Sequence, residues 1–251
     1  MSNISPTGIS EKKISFEEII SEYLKIWKNI YNELEKNNIK ALIYGSVAIY
    51  YKLSNLPEAI DLIKSNRKNG PQDLNVIVPL KFREKFKEIL MKMEFTPYYH
   101  LEVTMGNLAS MFLYNQFTIK VYYMDKAEFN HDVDIDWNQE FSLSLTDLLL
   151  TKLQIHYPTD KDSADIAAIL LKYDEIDKEK ICIQTSKDWG FWKDAVDNLN
   201  NARTYVSRLQ SKSEKLKNII TASLKLYGLV NNYPKPNNWK PLNDEKYWRD
   251  F

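Results

Sequence analysis

Apolar residues follow two rhythms along this chain, and the change between them divides it. Between residues 15 and 37, Phe16, Ile19, Ile20, Tyr23, Leu24, Trp27, Ile30, Tyr31 and Leu34 recur at steps of three and four. That spacing lays one wide apolar stripe along a helix. Residues 40–44 are too few for a helix and too apolar for a loop, so a buried strand is expected there. Residues 47–53 read as a helix, and 55–71, with Pro57, Gly70 and Pro71, as mostly connection with room for one short helical turn. A second strand is expected over 73–78. Pro79 then opens a helix whose buried face carries Phe82, Phe86, Ile89, Leu90 and Met93. From residue 95 the period becomes that of strands. Runs 108–114 and 117–124 read as an antiparallel hairpin turning at Asn115-Gln116.

After residue 144 the pattern is helical. Ser144-Leu-Thr-Asp147 resembles a capping box ahead of a helix to Ile155. Pro158 and Thr159 break it, and Asp160 or Asp162 starts the next helix, to about Tyr173. A short helix capped by Asp177 and two longer ones follow, with Trp189 and Trp192 expected in their core. The segment 231–251 carries Pro234, Pro236, Trp239, Pro241, Tyr247, Trp248 and Phe251 and cannot be one helix. It reads as an extended segment packed on its own protein, with a docking peptide for a protein partner as the alternative. The expected organisation is a loose tail (1–14), an α/β domain (15–140), a helical domain (141–230) and a Pro/aromatic tail (231–251).

Composition narrows the classes. A chain of 251 residues that is 44% hydrophobic can bury a sizeable core. Its 34 basic residues balance 34 acidic ones, so general nucleic-acid binding is not expected. No apolar run approaches the ~20 residues that span a bilayer, and residues 1–13 lack the apolar stretch of a secretory signal. A soluble cytoplasmic protein without membrane partners is expected. The single cysteine, Cys182, excludes an intrachain disulfide or cysteine zinc site and reads as a small buried residue. His100, His131 and His156 lie far apart without i, i+4 pairing, and read as structural or surface residues.

Two short segments carry candidate chemistry. Gly45-Ser46 closes the strand 40–44 and leads into a helix, which puts backbone N–H groups where a phosphate could sit. Asp73 and Asn75, two apart on the second strand, project onto one face.

The order helix, strand–Gly-Ser–helix, strand with Asp-x-(acid), helix and hairpin resembles the polymerase-β-type nucleotidyltransferase superfamily. Leu148-Leu-Leu-Thr-Lys-Leu-Gln-Ile155, Asp160-Lys-Asp-Ser-Ala-Asp-Ile166 and Lys187-Asp-Trp-Gly-Phe-Trp192 resemble a group of uncharacterised nucleotidyltransferase-like proteins. More distantly, Lys152, Lys161-Asp162 and Asp165 are similar to nucleotidyltransferase toxins of abortive-infection systems. The resemblance implies an α+β fold: a mixed sheet with flanking helices, followed by a C-terminal helical bundle. It also implies a triphosphate at Gly45 and Ser46, and two divalent metals held by three carboxylates.

Carried over residue by residue, the first carboxylate falls on Asp73, the second on the amide Asn75, and the third on Lys120 in Ile119-Lys120-Val121. Three carboxylates would supply −3, whereas these residues supply about zero, with Asp73 the one remaining metal ligand. Three readings follow. The first is a degenerate metal site that still binds a nucleotide or polyphosphate through Gly45, Ser46, Lys120, Lys152 and Lys161, with no cofactor required. The second is an active Mg²⁺-dependent nucleotidyltransferase moving an NMP group to an acceptor, with Asp61, Glu102 or Asp125 as substitute acids. The third is an interaction protein with a vestigial pocket.

Overall fold

A computed structural model describes residues 15–67, 69–105, 107–125, 127–209, 213–237, 239–241 and 246–249. The expected loose tail (1–14) and Phe251 lie outside the described residues. The architecture is α+β. The first half contains α1 (Phe16–Lys36), β1 (Leu42–Tyr44), α2 (Gly45–Leu53), α3 (Pro57–Ser65), β2 (Leu74–Val78), α4 (Arg83–Lys92) and β3 (Thr96–Pro97). It continues through α5 (Tyr99–Met105), β4 (Ala109–Tyr114), β5 (Phe117–Tyr123), β6 (Ala127–Glu128) and β7 (Asp132–Val133). Among the described residues, the second half contains α6 (Leu145–Leu153), α7 (Asp160–Leu170), α8 (Lys178–Ser186), α9 (Trp189–Arg208) and α10 (Glu214–Asn232).

The main sheet has five strands in the order β1-β2-β5-β4-β3. Strands β2 and β5 run parallel, and the other neighbours antiparallel. Along β5, Ile119, Val121 and Tyr123 are buried, while Thr118, Lys120 and Tyr122 are half-buried on the opposite face. The hairpin turns at Asn115-Gln116 as its sequence suggests, with Asn115 at φ 53° and Tyr114 opposite Phe117. Helix α1 begins with a true capping box: Ser15 Oγ accepts from the Glu18 N–H, and the Glu18 carboxylate accepts from the Ser15 N–H. Its stripe of Phe16, Ile20, Tyr23, Trp27, Ile30 and Leu34 is buried.

The helical half joins the sheet directly. Residues 141–143 run beside β1: the Ile43 N–H donates to the Phe141 carbonyl (3.2 Å), and the Leu143 N–H donates to the Ile43 carbonyl (3.0 Å). Trp27 Nε1 donates to the same Phe141 carbonyl at 2.8 Å. Helix α2 packs on α6, and α3 on α7.

Three sequence expectations are corrected. Residues 57–65 form a helix of nine residues, longer than the one short turn expected within that connection: Pro57 occupies its first turn, where a missing N–H costs nothing, and Ala59, Leu62 and Ile63 are buried. A short helix, α5, interrupts the β-rich region; none of its residues is buried, so it leaves no apolar periodicity in the sequence. Trp189 and Trp192 are half-buried, with Phe191 between them in the core. Among the described residues, no helix is long and apolar enough to cross a membrane.

Candidate functional site: a cleft with an internal ion pair

The strand alternation that buries Val76 and Val121 turns Asn75 and Lys120 the other way, and the parallel register sets them opposite each other. Asp73, just before β2, lies between them. Lys120 Nζ is 2.8 Å from Asp73 Oδ2, and Asn75 Nδ2 donates to Asp73 Oδ1 at 2.8 Å. Both carboxylate oxygens therefore have a partner on the same chain. The hydrogen bond to Asp73 raises the Lys120 ammonium above its ordinary pKa, against the opposing effect of burial.

The turn between β1 and α2 closes onto this group. Gly45 has φ 72°, a backbone region open to glycine at little cost. A Cβ there would stand 3.2 Å from Asn75 Nδ2. Gly45→Ala is therefore expected to lower stability by about 1–2 kcal/mol and to displace the Asn75 amide from Asp73. Urea denaturation measures the first effect, and the Asn75 side-chain amide resonances report the second. No side chain caps the N-terminus of α2, because Tyr44 at the cap position makes no such bond. Its first N–H groups and the positive end of its dipole are left for another partner.

Two cavities meet at Ser46, Arg67 and Asp73. The larger, about 500 Å³, is polar and lined by Ser65, Asn66, Gln72 and Lys161 among others. The smaller, about 290 Å³, has an aromatic wall of Tyr44, Tyr122 and Phe129, with Lys152, Gln154 and Ile155 beside it. Burial pushes the Tyr44 hydroxyl well above its usual pKa, so this wall stays neutral.

The residues expected to bind phosphate are placed differently from one another. Gly45 and Ser46 line the cleft, and Lys161 stands exposed at its mouth. Lys152 reaches the cleft with its ammonium already engaged, 2.8 Å from Asp162 Oδ1 and 2.9 Å from Asp165 Oδ2. Burial alone would lower its pKa, but the Asp165 and Asp162 carboxylates outweigh that and raise it. Asp165, 0% exposed, also receives Arg67 Nη2 at 2.7 Å. Arg67 is a cleft residue that the sequence reading missed, because it lies in the stretch read as connection. A lone arginine there has no periodicity to mark it, and its partner is 98 residues away. The aromatic wall was missed for a different reason: Tyr44, Tyr122 and Phe129 come from three segments far apart in sequence, and only their packing brings them together.

The substitute acids lie elsewhere. Asp61 faces a separate groove with Leu62 and Tyr205, Glu102 pairs with Lys87, and the Asp125 carbonyl accepts from Trp137. None of the three lines the cleft. Among the described residues, no group of three or more His, Cys, Asp or Glu side chains is arranged to hold a metal ion. A two-metal centre does not fit the donor set at Asp73: the cluster offers one carboxylate, and an amide and an ammonium already occupy both of its oxygens.

No family model and no curated protein matches the chain. Among solved structures it is similar to the solution structure of the antibiotic-resistance factor ANT(2'')-Ia, at 11% sequence identity and a TM-score of 0.39. The match covers 65% of this chain and 89% of that one.

Proposed function

We propose that this chain is a nucleotidyltransferase-fold protein whose metal site has degenerated, and that its cleft binds a nucleotide or polyphosphate without a divalent ion. The observation that carries the reading is the Lys120–Asp73–Asn75 cluster, in which an ammonium and an amide satisfy both oxygens of the one carboxylate. A cation tethered to the same chain competes at an effective concentration on the order of millimolar or higher. A metal ion entering here would have to displace it and would gain one carboxylate.

The cleft still favours an anion. Lys120, Lys152, Lys161 and Arg67 stand against Asp73, Asp162 and Asp165, leaving a positive excess. The uncapped end of α2 adds oriented N–H groups. The aromatic wall offers a planar group a stacking surface beside the larger polar cavity.

Calorimetry with ATP and with tripolyphosphate, each in Mg²⁺ and in EDTA, tests the reading. Weak binding that differs by less than about threefold between the two conditions is expected; 1.4 kcal/mol would correspond to tenfold. Tight binding that collapses on chelation would reject it. So would transfer of labelled nucleotide to an acceptor that is abolished by Asp73→Ala.

A further inference from the structure

Two histidines that the sequence keeps apart share one buried aspartate. Asp194 on α9 is 3% exposed; its Oδ2 lies 2.7 Å from His131 Nε2, and its Oδ1 lies 2.9 Å from His156 Nδ1. Both rings belong to segments that line the smaller cavity, one within its aromatic wall and one beside it. His131 follows Phe129 by two positions, and His156 directly follows Gln154-Ile155. Gln154 ties the two segments together, its Oε1 accepting the His131 backbone N–H at 3.2 Å.

The C-terminal residues 246–249 lie over this pair. Trp248 stacks on His156 with 3.6 Å between ring centroids and 15° between planes. Tyr247 lies parallel to His131 at 6.3 Å and edge-on to His156 at 5.1 Å. The Tyr247 hydroxyl donates to Asp194 Oδ1 at 3.4 Å. Asn130 and Arg249 exchange hydrogen bonds: Arg249 N–H to the Asn130 carbonyl at 3.2 Å, and Asn130 Nδ2 to the Arg249 carbonyl at 2.6 Å. The Arg249 guanidinium pairs with Asp132. At Gly190 a Cβ would come within 2.6 Å of the Tyr247 ring and 2.9 Å of its carbonyl, so α9 admits the segment where it has no side chain.

We propose that Tyr247 and Trp248 form a removable clamp that holds Phe129, Gln154 and Ile155 in place, and so regulates the aromatic half of the cleft. Tyr44 and Tyr122 sit at the end of β1 and within β5, with the sheet to fix them. Phe129 lies in the loop between β6 and β7, and Gln154 and Ile155 follow the last turn of α6, so their order comes from what packs behind them. The clamp's contacts are those of a docked peptide: half-buried rings, one long hydroxyl bond to Asp194, a two-way link between Asn130 and the Arg249 backbone, and a surface ion pair. They can part without opening the core.

The regulatory claim rests on the cleft being a ligand site, so the test reads the wall separately from the ligand. Hydrogen exchange is followed in the full chain, in a chain ending at residue 245, and in the full-length Trp248→Ala variant. Exchange at least tenfold faster over 129–133 and 153–156 is expected in both variants, with β2 unchanged. Adding a synthetic peptide of residues 240–251 to the shortened chain is expected to restore protection. Unchanged exchange at the wall, equal acceleration in β2, or no rescue by the peptide would each overturn the clamp. In a parallel ATP titration, affinity is expected to fall at least fivefold in both variants; equal affinity would overturn its regulatory role. If the full chain binds no ATP, the nucleotide reading fails, while the exchange comparison still decides whether the segment holds the wall.

Discussion

Replacing Asp165 by alanine is expected to destabilise the fold by about 3–5 kcal/mol, the cost of stranding buried charge. Its carboxylate is fully enclosed and serves both Arg67 and Lys152, themselves nearly enclosed. Without it, Lys152 keeps Asp162, while the Arg67 guanidinium keeps the Ile63 carbonyl at 3.3 Å and loses its counter-ion. Urea denaturation of the variant measures the loss.

Asp162→Ala supplies the contrast. Asp162 is partly exposed, and its removal leaves Asp165 between both cations. It also removes the Thr159 capping interaction, which costs about 0.5–2 kcal/mol. The smaller loss is expected there. A pH series separates electrostatics from packing. In Asp165→Ala, burial of Lys152 is no longer outweighed by two carboxylates, so its neutral form gains. A lysine whose folded pKa lies below its unfolded value weakens the fold at low pH and recovers as pH rises. The deficit relative to wild type should therefore shrink between pH 7 and pH 9. A loss under 1 kcal/mol, or one independent of pH, would contradict this account of the network.

The second large effect is a gain. In the double variant Asn75→Asp/Lys120→Asp, three carboxylates would face one another where an ion pair and an amide now stand. Like charges at hydrogen-bond distance repel, so the metal-free variant is expected to melt below the wild type. Mg²⁺ should then restore it by mass action, by about 1.4 kcal/mol at a tenfold excess over its dissociation constant. That constant is expected on the order of millimolar, as for weak oxygen-ligand sites. The wild type should show no such shift, because its Asp73 is already satisfied. Thermal melting from 0 to 10 mM Mg²⁺ reads both proteins. If the double variant ignores magnesium, these side chains do not form the remnant of a metal cup.

Much of the fold was legible because its signals are local. The stripe on α1, the turn at Asn115-Gln116 and the breaks around Pro158 are short-range features, and each appears where its residues imply. Alternation on the second strand likewise showed that positions 73 and 75 share a face. The full length of α3 and the presence of α5 were not legible: Gly70 and Pro71 close behind α3 mark its stretch as connection, and a helix with no buried residue has no apolar period.

The site divides along the same line. By itself the sequence determined the chemical identities, a carboxylate at 73, an amide at 75 and a lysine at 120, and the strand periodicity that turns positions 73 and 75 one way. Only the tertiary structure decided that Lys120 reaches Asp73, that Arg67 meets Asp165, and that His131 and His156 converge on Asp194. The physical reason is that such meetings depend on which buried faces pack together, through the parallel pairing of β2 with β5 and the seating of α3 on α7. Residues tens of positions apart carry no local mark of that choice.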